Sequence, residues 1–405
     1  LSNTSYKLPV RWTSEGQLAF FNRLLLPLTG NRIQHVDGSY RMNGRTEISE
    51  NDLSFKQSFV EIDDFKARLS EGLIQQPKIQ LELVGSYEWP NQNWTLNDFT
   101  LSSHCLSMRA NGRKTNDLTE YEIRWRTLLD RLLTSYSQTS GINPATDANR
   151  NTNRDFIASS LNEDHHWQIY GDGEGTLIGK HTTEFSQFEV DFQIEELSVP
   201  HLSTPISFDE RSLTGANTFS SNARTIWEEP NTRMIAVVRK PADSNRLTID
   251  QFDLSTEWIR TSLKGQLVPQ GNSRQLFMEG TSKCDMDRLG LRIGPMMPLE
   301  LKLTGKHESE LKLFASLGQQ AVEEFDLSTM IGWESGSLAG AVLPSAEIPI
   351  QANLKELKFL GSKIPLGNGW INLSGSIHQH QNETWIELNP GAIAEQLEIS
   401  PAMSK

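Results

Sequence analysis

Ile79-Gln80-Leu81-Glu82-Leu83-Val84-Gly85-Ser86-Tyr87-Glu88-Trp89 places an apolar or small residue at every odd position. Successive side chains of a β-strand point to opposite sides, so this spelling makes one apolar and one wet side. It marks antiparallel sheet covered on one side only. Phe188-Glu-Val190-Asp-Phe192-Gln-Ile194 repeats the alternation. Leu299-Glu-Leu301-Lys-Leu303 and Leu311-Lys-Leu313 do so on either side of Gly-Lys-His-Glu-Ser-Glu, which reads as a hairpin. Turn chemistry separates further strands at Pro90–Asn93, Pro241–Asn245 and Gln270–Ser273. The expected fold is mainly β: an elongated antiparallel sheet curled into an open hydrophobic groove, with one or two amphipathic helices.

Working outward, a repeat emerges. Residues 96–112 (LNDFTLSSHCLSMRANG) align without a gap on 249–265 (IDQFDLSTEWIRTSLKG). Phe99 meets Phe252, Leu101 meets Leu254 and Gly112 meets Gly265. The shared order is Φ-x-x-Φ-x-Φ followed by glycine, with related units at 62–69 and 354–359. Repetition of this kind implies units that bury their faces by stacking on neighbours. Two helices are expected. One starts at the Asn116-Asp117 cap and carries the stripe Leu118, Tyr121, Trp125, Leu128, Leu129, Leu132, Leu133 and Tyr136. A polar loop over 137–154 follows, and a shorter helix is expected over 14–26.

The chain has 405 residues, more than one compact core usually holds. Lys and Arg number 38 against 51 Asp and Glu, a net charge of −13. No basic surface is available to release counterions from a phosphate backbone, so nucleic acid is not an expected partner. No apolar run reaches the length that spans a bilayer, and Leu24-Leu25-Leu26-Pro27-Leu28 is broken by proline. The opening Leu-Ser-Asn-Thr carries no signal peptide pattern and reads as a mature product or as a fragment of a longer chain. Cys105 and Cys284 lie far apart, without CxxC spacing, and read as isolated strand cysteines rather than a disulfide or zinc site.

Chemistry-bearing motifs fail on their own terms. Asp147-Ala-Asn149-Arg-Asn151 opens like a calcium loop, but Thr152 replaces the required glycine and Ala158 the bidentate acid. Gly171-Asp-Gly173-Glu-Gly175 is followed by strand-like sequence, which removes the helix N-terminus of a phosphate cradle. Asp164-His165-His166 and His378-Gln-His380 supply two histidines each, short of a ligand set. Asp63 and Asp64 are adjacent on a strand and diverge, so they do not form a glycosidase pair. No catalytic residue, metal or cofactor is expected. The tryptophans, Trp89 and Trp94 among them, leave a second class open: an extracellular β-sandwich module stacking aromatics on glycan or protein.

The Φ-x-x-Φ-x-Φ unit ending in glycine resembles the periplasmic AsmA-like proteins, the group that includes TamB. So does Cys284-Asp-Met-Asp-Arg-Leu-Gly-Leu leading to 299–305, and 14–44 with its Leu-Pro-Leu-Thr-Gly. Gly336-Ser-Leu, Leu354-Lys-Glu-Leu357, Leu366-Gly-Asn-Gly369 and Trp385-Ile-Glu-Leu388 fall at the intervals of the group's closing region. The resemblance implies segments over 1–115, 156–326 and 327–405, with 116–155 as an unmatched helix-loop insertion. It implies a non-enzymatic envelope protein of the periplasm that guides phospholipid or another acyl lipid along a groove between membranes. Inner- and outer-membrane proteins would stand at either end. The expected lining is Ile79, Leu81, Leu83, Tyr87, Phe188, Val190, Phe192, Ile194, Leu299, Leu301, Leu303, Leu311 and Leu313. The alternative is that these faces close on one another as a sandwich core.

Overall fold

The computed structural model describes residues 6–21, 33–69, 73–131, 170–200, 225–271, 273–293, 301–318, 322–338, 340–366, 369–380, 383–388 and 394–395. The chain divides into two compact units, Leu1–Thr183 with Phe192–Asn231 and Glu184–Asp191 with Thr232–Lys405. Both are mainly β, and the strand pairings described below are antiparallel.

The first unit strings its strands in chain order. These are β1 (Leu8–Gln17), β2 (Ile33–Ile48), β3 (Asp52–Leu69), β4 (Leu73–Glu88), β5 (Asn93–Ser103), β6 (Leu106–Thr115), β7 (Leu118–Leu128) and β8 (Tyr170–His181). Each pairs with the next. β9 (Phe185–Pro200) contributes residues to both units. β10 (Thr225–Pro241) does so too, entering the second unit at Thr232. The second unit further contains β11 (Leu247–Ser255), β12 (Ile259–Gln270), β13 (Ser273–Asp285), helix α1 (Met286–Ile293), β14 (Leu301–Thr304), β15 (Lys306–Leu317), β16 (Val322–Leu338), β17 (Ala341–Asn353), β18 (Glu356–Leu366), β19 (Gly369–His380), β20 (Glu383–Leu388) and β21 (Ala394–Glu395). The ladder runs β10 to β13, then β15 to β20, each strand beside the next. No described pairing returns from last strand to first in either unit, so neither sheet closes into a barrel.

The repeat has a structural meaning. In β5–β6, Leu96 faces Gly112 and Phe99 faces Ala110, with one register shift between them. In β11–β12, Ile249 faces Gly265 and Phe252 faces Leu263, with the same shift. A spacing of three would turn the second apolar residue to the wet side. One extra residue in a bulge restores it to the apolar side. The terminal glycine is demanded by close approach. A Cβ on Gly112 would stand 2.8 Å from the Glu120 carbonyl oxygen, and one on Gly265 would collide with that of Phe277.

Three expectations are corrected. The helix over 116–136 is strand β7 through Leu128, with helical backbone only at 129–131 and the rest outside the described residues. Tyr121, Ile123, Trp125 and Thr127 form its apolar alternation, facing Gly179, Leu177, Gly175 and Gly173 across the β7–β8 ladder. Leu118 and Leu128 completed a helical stripe only by ignoring Ile123. The helix over 14–26 is β1 through Gln17 and a 3-10 turn at Leu18–Phe21, with 22–26 outside the described residues. The hairpin about residues 305–310 does not form. β14 and β15 both pair with β16, Thr304 facing Ser335 and Lys312 facing Ser328, so they form one line kinked at Gly305. Gly305 holds φ +101°, and Lys306–Glu310 continues as alternating strand.

Candidate apolar binding face

Side chains that face one another across a ladder share a side of the sheet, so the registers sort every strand. In the second unit one row reads Val238, Ile249, Gly265, Met278, Leu313, Leu327, Ala352 and Leu357 across β10–β13 and β15–β18. A neighbouring row contains Ala236, Phe252, Leu263, Gly280 and Leu311. Leu263, Met278 and Leu311 are buried against Ile249, Phe252, Leu276 and Leu313. The rest of both rows is mostly half-buried. A sandwich core would seal these positions under a second sheet. Among the described residues of each unit, strands pack edge to edge on their ladder neighbours, and most of these positions stay half-buried.

One stretch of this face is covered, by α1. Met286, 1% exposed, and Leu289 are buried in one cluster with Trp333, Leu343, Ile348, Ile350 and Ile364, with Trp258, Cys284, Leu303 and Phe359 packed against it. The helix is tied down at its first turn. Asp285 Oδ1 accepts the Arg288 backbone N–H at 3.2 Å, an N-cap bond. The Met286 N–H donates to the Gly305 carbonyl at 2.9 Å, and Asp287 Oδ2 accepts the Gly305 N–H at 3.0 Å. Arg288 donates to the Glu257 carbonyl at 3.2 Å and pairs with its carboxylate at 3.3 Å. Burial, with the Asp285 charge second, pushes the Cys284 thiol up to about 11.

The same sorting applies in the first unit. Ile79, Leu81, Leu83 and Tyr87 line one side of β4, opposite Ser103, Leu101, Phe99 and Trp94 of β5. Trp125 lies over Gly175, where any side chain would collide with its ring, and stacks on Phe192 at 6.2 Å. Trp12 lies over Gly44 in the same manner and donates to Thr46 at 2.9 Å. Broad aromatic side chains thus floor the apolar side where glycine opens it.

The expected lining residues are not all brought together. Ile79, Leu81, Leu83, Tyr87 and Phe192 share the apolar side of the first unit, and Phe188, Val190 and Ile194 take the same side of β9 by alternation. Leu311 and Leu313 lie in the second unit's rows. Leu303 packs under α1 instead of lining an open surface. Leu301 stands in β14 opposite Leu338, and Leu299 lies outside the described residues. The largest omissions are Leu263, Met278 and Leu327, whose strands alternate less cleanly because bulges and glycines interrupt them. The Asp147–Asn151 loop and the Asp164–His166 cluster also lie outside the described residues.

The opposite side of both sheets is polar and neutralises itself across strands. Arg109 makes a two-pronged pair with Asp98 at 2.8 and 3.1 Å, Arg113 pairs with Glu120 at 2.9 Å, and Lys283 with Glu308 at 3.0 Å. Lys78 pairs with Glu61. The Arg233 guanidinium beside Asp191 holds that carboxyl below the usual carboxylate range. A cleft of about 720 Å³ lies on this polar side of the second unit, lined by Lys264, Glu279, Lys312, Asp326 and Lys358 around the Phe277–Phe314 pair. The second unit's sheet is therefore hollowed on its wet side there.

Among the described residues no three His, Cys, Asp or Glu side chains converge as a metal site, and no helix is long and apolar enough to cross a membrane. Comparison with models of protein families, with curated proteins and with solved structures finds no match to this chain.

Proposed function

We propose that this protein is a non-enzymatic lipid-binding protein of the AsmA-like kind, guiding phospholipid or another acyl lipid along the apolar side of its sheet. The observation that carries the reading is the uninterrupted row from Val238 to Leu357, apolar at each of its eight positions and carrying no charge. Lying on such a row, an acyl chain exchanges water for hydrocarbon at about 0.8 kcal/mol per methylene, without needing a specific polar contact. The charged side, with its cross-strand ion pairs, keeps the back of the sheet in water. In this reading the protein works in the periplasm between two membranes, with membrane proteins receiving lipid at either end. The chemistry asks nothing of a catalytic group.

The test is direct. Protein purified from cells is extracted and its lipids measured by mass spectrometry, then delipidated protein is offered fluorescent phospholipid in vesicles. Phospholipid should co-purify and be taken up, and Leu313→Asp with Leu327→Asp should abolish both. Protein that carries none and takes up none ends the lipid reading. In that case glycan-array binding lost in Trp89→Ala would favour the module with surface aromatics, since Trp89 is 44% exposed.

A further inference from the structure

The apolar side of the second unit is one surface in two conditions. Ile350 and Ala352 are alternate residues of β17 and share that side. Ile350 is buried in the cluster that holds Met286 and Leu289, while Ala352 continues the half-buried row through Leu327. Two residues of strand span about 7 Å, so the edge of the helix stands one row from the uncovered lane. An eight-residue helix is about 12 Å long and about 10 Å across, enough to cover two or three strands.

We propose that α1 fixes one bank of the acyl lane: Met286 and Leu289 occupy the strip that a lipid tail would otherwise take and confine tails to the row through Met278, Leu313 and Leu327. This rests on the lipid reading above. Met, a flexible thioether, and Leu, a branched hydrocarbon, are apolar stand-ins for a tail and fill irregular apolar space. The helix is held by polar ties at its first turn to Gly305 and Glu257, both within the second unit. Its position therefore does not depend on lipid being present. Leu303, on a strand that sequence alternation would assign to the lane, serves the bank instead.

The experiment places p-benzoylphenylalanine, one position at a time, at three phenylalanines of the full chain, a replacement close in shape to the native ring. Phe325 faces Ala315 on the uncovered side, Phe359 packs against the helix-covered cluster, and Phe277 lies on the polar side. The protein is illuminated with vesicles of phosphatidylethanolamine and phosphatidylglycerol, and lipid adducts are measured by mass spectrometry. The expected order is a strong adduct at Phe325, several-fold less at Phe359 and background at Phe277. Combining Met286→Ser with Leu289→Ser should raise the Phe359 adduct toward that at Phe325. Should that pair fail to fold, Asp285→Ala with Asp287→Ala loosens the helix and leaves its apolar contacts, with a smaller rise expected. Equal adducts at Phe325 and Phe359 in the native chain overturn the bank while the lipid reading stands. An unchanged Phe359 adduct in a folded loosened variant also overturns it. Absence of adduct at both positions removes the lipid reading itself.

Discussion

The strip beneath α1 and the row beside it are built from the same kinds of residue on the same side of neighbouring strands, yet they serve opposite ends. Under the helix, Trp333, Ile348, Ile350 and Ile364 are each less than 9% exposed and form the main core of the second unit. Beside it, Leu313, Leu327, Ala352 and Leu357 remain half-buried. Aliphatic sequence alone does not make a core. A single sheet layer buries its apolar side where an element crosses it or, as at Leu263, Met278 and Leu311, where side chains of neighbouring strands close over one another.

The sharpest way to break this contrast is truncation on both sides of it. Trp333→Ala empties a sealed site and should cost about 3–5 kcal/mol. Leu313→Ala removes a half-exposed side chain and should cost only about 1 kcal/mol. Urea unfolding followed by circular dichroism measures both, and equal losses would mean that the row is sealed after all.

Gly305 is the anchor to which the helix is tied. Its φ of +101° disfavours any side chain, and a Cβ would stand 2.5 Å from Glu334 Cγ. Gly305→Ala should therefore cost about 1–3 kcal/mol in the same measurement. A neutral outcome would show the kink to be adaptable and the anchor weak.

A smaller effect is expected at the helix cap. Asp285→Ala should cost about 1 kcal/mol by releasing the Arg288 N–H. It also offers an internal reporter. With its thiol pushed up to about 11 by burial, only about one Cys284 in a thousand is thiolate at pH 8, so thiol reagents should label it slowly. Labelling should quicken in Asp285→Ala by more than loss of the neighbouring charge alone accounts for, as the helix frays. An unchanged rate would separate the cap from the cover.

The smallest effect belongs to the polar side, which sets the baseline for the comparison. The Asp191–Arg233 pair is largely solvent-exposed, so Asp191→Asn should cost at most about 0.5 kcal/mol at neutral pH. The folded carboxyl titrates below its unfolded counterpart, so the pair's contribution is present above the unfolded value. It fades as pH falls through the depressed folded one. Native and variant stabilities should converge in acid and stay apart at neutral pH, the reverse of which would put another group in charge.

Much of this was legible in the sequence. The alternation in β4 matches its paired register, and the turns after Glu88, Lys240 and Val268 fell where expected, within a residue or two. The Φ-x-x-Φ repeat was legible as a pattern, but its cause, a bulge opposite a glycine, emerges only from the paired register. β7 was misread because Leu118, Tyr121, Trp125 and Leu128 satisfy a helical period by coincidence of spacing. Glu120, Glu122, Arg124 and Arg126 on the other parity spelled the charged side of a strand. Helix α1 was missed because eight residues with a glycine at 290 give weak periodicity. Asp285 followed by Met286 and Leu289 was the only local signal.

Residue order alone settled that the chain forms antiparallel strands with one apolar side, because side-chain alternation is a property of each strand by itself. It also placed the glycines that let the strands bulge and crowd. Which part of the apolar side is sealed, and whether 301–304 turns back on 311–313 or runs on in line with it, was decided only in three dimensions. Burial is a relation between segments distant in sequence: no stretch of residues specifies what will come to lie across it.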